Sequence, residues 1–264
     1  RPGVPEVGGE VTVASFNVLN YFTTLGDRGA NTAQEFDRQQ AKIVSAIAEI
    51  DADIVGLIEI ENNGTAVAAL VKALNTAVGA DAYAYIPTGV IGTDVITTAL
   101  IYQPARVQPQ GDHAVLTSAT DPRFRDNNRP ALAQTFTQVG GSEPVTVVVN
   151  HFKSKGSDCN ALGDPDLGDG AGNCNVTRTL AAQALADWLA SDPTKQGAGR
   201  ELIIGDLNSY DKEDPIDTLR AAGYTDAVLQ YQGENAYSYV FDGQLGYLDY
   251  ALAGTDLAQD VTGA

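Results

Sequence analysis

The chain of 264 residues contains no methionine, no internal repeat and no apolar run long enough to span a membrane. Because it begins at Arg1 and lacks methionine altogether, we expect a processed or excised piece of a longer polypeptide. Residues 1–10 are rich in Pro and Gly, and we expect them to be a linker from an upstream domain of the same polypeptide. The missing signal peptide therefore says nothing about the compartment.

Basic residues are scarce: 16 Lys and Arg stand against 34 Asp and Glu, which gives a net charge of −18. This balance argues against a protein that coats polyanions through long-range attraction. It does not exclude an enzyme that acts on nucleic acid, because a bound divalent metal inverts the local field. The candidate phosphate-contacting cations are Arg123, Arg125, Arg129, Lys153 and Lys155. For Arg123 and Arg125, ordinary surface charge is an equally good interpretation.

Only two cysteines are present, Cys159 and Cys174, and both lie in a polar loop rich in Gly and Asp. A disulfide between them would stabilise the fold by about 3 kcal/mol and would indicate an oxidising compartment, so we expect a secreted or cell-surface protein. Zinc is the weaker alternative, since no histidine lies nearby. Two free thiols are the other alternative, but exposed thiols are a liability in a secreted protein.

The same loop has four acidic residues at short spacing, namely Asp158, Asp164, Asp166 and Asp169. An acidic, glycine-rich loop of this kind can bind a structural Ca²⁺ ion, but the full EF-hand pattern is absent. A solvated loop without metal is the alternative interpretation.

Polar side chains follow five runs of β-branched and aliphatic residues, at the point where each run ends. They are Asn17, Glu59 with Glu61, His151, Asp206 with Asn208, and Asp249. A single Asp or Asn in such a place is commonly a turn former or a helix cap. In α/β sheets, however, ligands bind beyond the ends of the strands, where the loops converge. The recurrence therefore predicts one shared site.

Helical patterns alternate with these runs. Thr32 with Glu35 forms a capping box before a first helix, Thr65 is expected to open a second, Thr177 a third, and Pro215–Ala222 a short fourth. Residues 97–104, 129–136 and 144–152 follow one another without helices, which favours antiparallel neighbours. With 44% hydrophobic residues the chain can bury one large core. We predict an α/β fold, a four-layer αββα sandwich of two packed, mostly antiparallel sheets flanked by helices, as a single domain over residues 11–264.

The motifs SFNVLN, DIVGLIEIEN, NRPALAQTF, VNHFKSK, GDLNSYDKEDPI and GYLDYALA occur in this order between Val11 and about Leu252. Together they resemble the endonuclease/exonuclease/phosphatase superfamily, which includes pancreatic-type deoxyribonuclease and abasic-site endonuclease. In detail the chain looks most like the catalytic domain of ExeM-type secreted bacterial nucleases. Any one of these motifs is weak, but their order and spacing together are specific.

The resemblance implies a role for each matching residue. Asn17 and Glu59 would hold a catalytic Mg²⁺ or Mn²⁺ ion. Glu61 would either assist them or serve as a loop carboxylate. A set of so few protein ligands suits Mg²⁺, which keeps several bound waters. Asp206 and Asn208 would activate and orient the attacking water. His151 would meet the phosphate or protonate the leaving group, unless it is a core histidine. The cationic side chains that would grip the phosphate and line its path are Arg129, Lys153 and Lys155. Phosphodiester hydrolysis needs such an in-line nucleophile, charge neutralisation and help for the leaving group.

One position departs from the family pattern. An Asp in the place of Asp249 orients a second histidine near the C-terminus in the family, but no histidine follows Asp249 before Ala264, and His113 lies too early. Tyr250 also stands where the bacterial relatives are expected to have histidine. We therefore expect a catalytic domain truncated at its C-terminus. Its turnover should be lowered, because catalytic groups that act as a unit lose most of their effect when one of them is missing.

The leading hypothesis is a secreted, divalent-metal-dependent nuclease that hydrolyses DNA or RNA, as a monomer. One alternative is another phosphoesterase of the same fold, acting on phospholipid headgroups or phosphate monoesters. A lipid-directed enzyme would be expected to expose an aromatic or aliphatic hairpin, and the sequence suggests no such insertion. The other alternative is a catalytically silent domain that binds nucleic acid or metal.

Overall fold

Two β-sheets face each other in the computed structural model, which describes residues 3–264. Arg1 and Pro2 of the expected linker lie outside these residues. The remainder of the segment forms no helix or strand up to Thr12, and the Val7 carbonyl accepts a hydrogen bond from Thr262 Oγ1 at 2.9 Å.

The described residues form twelve strands and five α-helices. The strands are β1 (Val13–Tyr21), β2 (Ile54–Glu61), β3 (Ala84–Tyr85), β4 (Ile96–Tyr102), β5 (Val107–Leu116), β6 (Arg129–Gln138), β7 (Pro144–His151), β8 (Glu201–Asp206), β9 (Thr225–Asp226), β10 (Tyr239–Phe241), β11 (Gln244–Gly246) and β12 (Asp249–Ala253). The helices are α1 (Ala33–Ile50), α2 (Ala66–Val78), α3 (Asn175–Ala190), α4 (Asp214–Ala221) and α5 (Ala227–Gln232).

Both large sheets are mixed, which corrects the prediction of mostly antiparallel sheets. The first has the order β1-β2-β4-β3 and the second β5-β6-β7-β8-β12-β9. Each contains one parallel pair, β1–β2 or β7–β8, among antiparallel neighbours. The reason is that α1 and α3 connect these pairs, and a crossover helix returns the chain in the same direction.

The succession expected to be antiparallel divides between the two sheets. β6 and β7 pair antiparallel as expected, but β4 pairs with β2 and β3 in the other sheet. β5 was not predicted, because Pro109 and Gly111 interrupt its pattern; its register shifts between Gln110 and Ala114, a bulge that accommodates them.

Three apolar clusters separate the layers and confirm the αββα arrangement. One joins α1 and α2 to the outer face of the first sheet, and another joins α3 and α4 to the outer face of the second. The third fills the space between the sheets with side chains such as Ile58, Val149 and Ile204. Gly56 lets the sheets approach closely, since a Cβ there would lie 2.6 Å from Ile204 Cδ1.

Of the three helix starts predicted at a threonine, two agree with the structure; the predicted fourth helix, 215–222, is α4 (Asp214–Ala221). Thr32 caps α1 by accepting from Glu35 N at 3.2 Å, and α2 follows Thr65, although Asn63 Oδ1 makes the capping contacts. The prediction that Thr177 opens the third helix is wrong. α3 begins at Asn175 because the Asp164 carboxylate, in the disulfide loop that precedes the helix, accepts from the backbone N–H groups of Val176 and Thr177.

Candidate active site

Four of the predicted site residues form one row across the second sheet. Arg129 is the register partner of His151, His151 of Asp206, and Asp206 of Asp249. Residues in register project to the same face of a sheet. The apolar neighbours Val149 and Ile204, two residues earlier on their strands, point into the space between the sheets. The row therefore lies at the end of the intersheet core, at the carboxyl ends of β7 and β8.

Asp206 is a carboxylate in an environment that opposes its ionisation. Burial raises its pKa to about 7, and the neighbouring Asp249 and Glu59 add to the effect. The Asn208 backbone N–H, which donates to Asp206 Oδ1 at 2.8 Å, and Arg129 act in the opposite direction. Burial likewise raises the pKa of Asp249, although a hydrogen bond with Ser238 lowers it. A carboxylate with a pKa near neutrality is suited to accept a proton at physiological pH.

His151 is only 3% exposed and is a neutral imidazole at physiological pH. Burial lowers its pKa to about 3, and the positive charges of Arg129, Arg28 and Lys153 lower it further. Its Nε2 lies 3.9 Å from Asp206 Oδ2, and its buried Nδ1 has no hydrogen-bond partner among residues 3–264. The ring therefore has hydrogen-bonding capacity that the protein itself does not use.

The turn after β8 holds Asp206 and Asn208 in place. Gly205 has φ of 116°, and a Cβ there would lie 2.1 Å from the Asn150 carbonyl oxygen, so only glycine fits. Asn208 has φ of 49° and is buried; its Nδ2 donates to the Phe152 carbonyl at 3.0 Å. The side-chain amide therefore joins the loop after β8 to the end of β7, and its Oδ1 is left available.

Asn17 and Glu59 meet at the ends of β1 and β2. Asn17 Nδ2 donates to Glu59 Oε1 at 3.1 Å, while Asn17 Oδ1 accepts from Leu19 N at 2.8 Å. Glu59 has φ of 65° at a register shift in β2, a strained conformation for a residue other than glycine. Glu59 also raises the pKa of Asp206, which places the two carboxylates within electrostatic reach of each other.

Glu61 is occupied by the loop that follows β1. Its Oε2 accepts from Thr23 N at 2.7 Å, from Thr23 Oγ1 at 2.8 Å and from Thr24 N at 3.2 Å. Burial acts to raise the pKa of Glu61, but these hydrogen bonds outweigh burial and lower the pKa below its ordinary value. Of the two interpretations offered by the sequence, this geometry favours the loop carboxylate.

The structure brings residues to the site that the sequence did not reveal. Arg129 is buried, its Nε lies 3.1 Å from Asp94 Oδ2, and its Nη1 donates to the Phe152 carbonyl. Arg28 approaches the same carboxylate from the loop after β1, with Nη1 4.0 Å from Asp94 Oδ1. Neither Arg28 nor Asp94 follows a strand or belongs to a motif, so only the folded chain places them together.

The two lysines after β7 differ in their surroundings. Lys153 is partly buried, and its pKa is lowered by burial and by Arg129. Among residues 3–264, no carboxylate lies within salt-bridge distance of its ammonium group. Lys155 instead pairs with Glu213, donates to the Gly170 carbonyl and lies 4.8 Å from the centre of the Tyr210 ring. Lys153 is therefore available to an anion, whereas Lys155 is engaged within the protein.

The two other candidate arginines have structural partners. Arg123 pairs with Asp121 and with Asp187, the latter at 2.8 Å, and Arg125 Nη1 donates to Thr177 Oγ1 at 2.9 Å. These contacts favour the interpretation as ordinary structural charge.

The predicted disulfide is present: Cys159 and Cys174 are joined with an S–S distance of 2.05 Å. Within the loop that it closes, the aspartates accept hydrogen bonds from nearby backbone N–H groups. Next to the loop lies Arg178, a fully buried arginine that the sequence did not single out. It donates to the carbonyls of Lys153, Asn173 and Ala171 and to Ser209 Oγ. The disulfide loop is thus tied to the segments that follow His151 and Asp206.

The expectation that no aromatic or aliphatic hairpin is exposed is wrong. β10 and β11 form a two-stranded ribbon outside both large sheets. The exposed apolar side chains of the ribbon are Tyr239, Val240, Phe241 and Leu245. Tyr237, which lies just before β10, is also exposed. The sequence signal was the alternation before the Asp-Gly turn at residues 242–243, which typically joins two strands.

No helix among residues 3–264 has the length and hydrophobicity needed to cross a bilayer. The same residues hold no group of three or more His, Cys, Asp and Glu side chains arranged to bind a metal. A magnesium site with one carboxylate, one amide oxygen and several waters does not require such a group. The local charge fits a cation, since Glu59 and Asp249 both oppose the ionisation of Asp206.

The model of the Endonuclease/Exonuclease/phosphatase family matches residues 14–264. No curated protein matches the chain.

Several solved structures share the fold. TDP2 of D. rerio, complexed with a single-strand DNA product, is 18% identical with a TM-score of 0.55, and the match covers 94% of this chain and 85% of that one. The human Nocturnin catalytic domain with a bound sulfate anion is 17% identical with a TM-score of 0.59, covering 92% and 82%. A mannosyl-6-phosphatase of Bacteroides thetaiotaomicron is 15% identical with a TM-score of 0.57, covering 92% and 85%. At identities this low, the likeness shows a shared fold and nothing finer.

Proposed function

Because the chain belongs to the endonuclease/exonuclease/phosphatase family, we propose that it is a divalent-metal-dependent hydrolase that cleaves phosphodiester bonds of DNA or RNA. The observation that carries this proposal is the row Arg129–His151–Asp206–Asp249, which sets an arginine, an imidazole and two carboxylates side by side at one sheet edge. Phosphodiester hydrolysis needs a base for the attacking water and positive charge around the phosphate.

Asn17 and Glu59 are the proposed ligands of the metal. Two observations support this assignment: Glu59 has a strained backbone, and its carboxylate accepts a hydrogen bond from the Asn17 side chain, which keeps the two side chains together. When bound, Mg²⁺ or Mn²⁺ would neutralise charge on the phosphate and stabilise the departing oxygen. Glu61 is not included among the ligands, since three hydrogen bonds from the loop already occupy its Oε2.

Asp206 is the proposed base. Its raised pKa gives it the proton affinity to take a proton from the attacking water near neutral pH. Asn208, held by its hydrogen bond to the Phe152 carbonyl, is proposed to orient that water through Oδ1.

His151 is proposed to donate a hydrogen bond to a phosphate oxygen as a neutral ring. Its lowered pKa argues against an imidazolium that protonates the leaving group. Arg129, Arg28 and Lys153 are proposed to contact the phosphate, with Asp94 orienting the first two. Lys155 is not proposed to contact the phosphate, because it pairs with Glu213 and stabilises the neighbouring loop.

The disulfide supports a secreted or extracellular protein, because such bonds persist in oxidising compartments. The closer likeness to ExeM-type nucleases and the monomeric state stay predictions. A phosphatase of the same fold is the second candidate, favoured by the likeness to the mannosyl-6-phosphatase.

The test is nicking of supercoiled plasmid in the presence of Mg²⁺, Mn²⁺ or EDTA. We expect metal-dependent nicking by the wild type and a loss of about 10²–10⁴-fold in Asp206→Ala and His151→Ala. Glu49→Gln, a substitution on the exposed side of α1, serves as the control and should leave the rate unchanged. Binding of Mn²⁺ measured by calorimetry should weaken in Glu59→Gln and not in the control.

Nicking that is undiminished in EDTA would contradict the metal requirement. Release of inorganic phosphate from sugar phosphates without any nicking would replace the nuclease with the phosphatase. Full activity of Asp206→Ala would remove this residue from the proposed mechanism.

A further inference from the structure

The ribbon of β10 and β11, residues 239–246, concentrates exposed aromatic side chains next to the site. Among residues 3–264, the only exposed aromatic rings are Tyr231, Tyr237, Tyr239 and Phe241, which all lie within eleven consecutive positions. Phe241 is 64% exposed and Leu245 67% exposed. Large apolar side chains gathered on an exposed ribbon usually mark a binding surface.

The ribbon has two chemically different faces. Tyr239 and Phe241 lie two residues apart on one face, with ring centroids 6.4 Å apart and planes only 14° from parallel. Val240 and Leu245 are register partners on the opposite face. Asp242 and Gly243 both have positive φ, which is typical of the tight turn of a two-residue hairpin. The turn fixes the register and therefore keeps the two rings together.

The aromatic face continues towards the site. Gly246 is the register partner of Tyr239, and the Tyr210 ring packs against Gly246, where a Cβ would lie 2.6 Å from Tyr210 Cε1. The ammonium group of Lys155 lies 4.8 Å from the centre of the same ring. Tyr210 belongs to the loop that follows Asp206, so the aromatic surface starts near the candidate active site.

The base of the ribbon is joined directly to Asp249. Ser238 Oγ accepts hydrogen bonds from Leu248 N at 3.1 Å and from Asp249 N at 3.3 Å, and Ser238 N donates to the Gly246 carbonyl. A polymer lying across the row Arg129–His151–Asp206–Asp249 and extending past Asp249 would therefore meet the rings of Tyr239 and Phe241.

Charge decides which polymer or surface the ribbon fits. Residues 233–249 contain Glu234, Asp242 and Asp249 but no Lys or Arg. An element that binds an anionic membrane surface usually presents basic residues beside its apolar ones, and the net charge of −18 adds repulsion. Phosphate groups would also be repelled by the ribbon. Unpaired bases are uncharged, and they stack on aromatic rings regardless of sequence.

We propose that Tyr239 and Phe241 form a stacking platform for unpaired bases of a single-stranded nucleic acid whose neighbouring phosphate lies in the active site. The inference rests on the proposed function and deepens it by naming single-stranded or frayed nucleic acid as the substrate class. The phosphate contacts come from Arg129 and its neighbours, and the platform holds the adjacent bases.

The test compares two double variants of the ribbon. Tyr239→Leu/Phe241→Leu keeps apolar bulk on the aromatic face but removes both rings, and Val240→Ala/Leu245→Ala is the matched control on the other face. Anisotropy of a fluorescein-labelled single-stranded oligothymidylate, measured in EDTA, gives the dissociation constant without cleavage. We expect the constant to rise about tenfold or more in the first variant and to stay near the wild-type value in the control. In cleavage assays with Mg²⁺, KM for single strands should rise while kcat is unchanged, because the rings do not touch the reacting atoms.

Equal affinity of both variants and the wild type for the oligothymidylate would overturn the inference, as would equal weakening in both variants. Loss of binding to phosphatidylcholine vesicles in the first variant, with oligothymidylate binding intact, would assign the ribbon to a lipid surface instead. Ring-dependent binding of the oligothymidylate without cleavage of any nucleic acid would keep the stacking platform and overturn the proposed function. Cleavage of single strands with an unaltered KM in the first variant would overturn the inference and keep the proposed function.

Discussion

Asp206 and Asp249 lie directly opposite each other on the antiparallel strands β8 and β12. Burial raises the pKa of both carboxyl groups, and the charge of Asp249 raises that of Asp206 further. Like charges placed opposite each other in a sheet destabilise it. The pair therefore destabilises the fold locally. Arg129 reduces this effect at Asp206, and a bound cation would reduce it further.

The first prediction concerns stability without metal. The pKa of Asp206 is about 7 in the folded protein and near 3.8 in the unfolded chain, so the folded state binds the extra proton between these values. The free energy of unfolding therefore falls as pH rises from about 4 to 7. Because asparagine stays neutral, the melting temperature of Asp206→Asn in EDTA should exceed that of the wild type increasingly as pH rises across this range, by about 2–6 °C at its upper end.

The control for this effect is Asp112→Asn, an exposed aspartate on β5. The lowered pKa of His151 acts in the opposite direction, because it makes the free energy of unfolding fall as pH falls below about 6.5. This effect is present in both the wild type and Asp206→Asn. The comparison with the wild type therefore isolates Asp206. A temperature difference that does not change with pH would refute the assignment of a raised pKa.

The second prediction concerns the pH dependence of catalysis. If Asp206 accepts the proton of the attacking water, the rate falls on the acid side as Asp206 becomes protonated. Asp249→Asn removes a negative charge that raises the pKa of Asp206. The acid limb of the kcat/KM profile with Mg²⁺ should therefore move to lower pH in this variant. A limb that stays in place, or moves to higher pH, would show that Asp249 does not act through Asp206.

The third prediction concerns the glycine before Asp206. In Gly205→Ala the new methyl group would lie 2.1 Å from the Asn150 carbonyl oxygen, so β7 and β8 must separate. We expect a loss of stability of about 4 kcal/mol or more, measured by urea unfolding. Gly197→Ala is the matched control, because Gly197 has a similar φ of 105° but no atom within 4 Å of the added Cβ. It should cost only the strain of positive φ, about 1–3 kcal/mol. Equal losses would mean that the close contact is unimportant.

The fourth prediction concerns the disulfide loop. Cys159→Ser/Cys174→Ser should lower the free energy of unfolding by about 3 kcal/mol. Asp164→Ala, which removes the cap of α3, should cost about 1–2 kcal/mol. Since Asp164 N donates to the Cys159 carbonyl and Cys174 N to the Asp164 carbonyl, the disulfide holds the cap in place. The losses should therefore not add in the triple variant; full additivity in chemical denaturation would show that loop and cap are independent.

Several features of the site follow from local sequence. The runs VTVASFN, DIVGLIEIE, VTVVVNH and ELIIGD have enough consecutive apolar residues to form buried strands whatever surrounds them. The polar residue at each end then has to lie at the edge of a sheet. The layers, the helices and the family likeness could be inferred in this way, and the cysteine pair followed from its isolation in a polar loop.

What the local sequence could not determine is which partner each side chain meets. Lys155 and Lys153 lie two residues apart in one motif, yet only Lys155 meets Glu213, which is distant in the chain. Glu61 and Glu59 likewise diverge, because a bulge in β2 turns one carboxylate to the loop and the other to Asn17. Periodicity determines the face on which a residue lies, but register and crossover set its neighbours.

The sequence by itself determined the strands that carry the site residues, the helices α1 to α4 and the kinds of polar group at the strand ends, because these depend on residues near one another in the chain. Only the tertiary structure decided that Arg129, His151, Asp206 and Asp249 share one row, that Asp164 caps a helix begun after the disulfide, and that an aromatic ribbon projects beside Asp249. The row joins four strands that are separated along the chain, and the other two relationships depend on how a loop folds back on its own neighbourhood. They arise when burial of the apolar faces selects one strand register out of many.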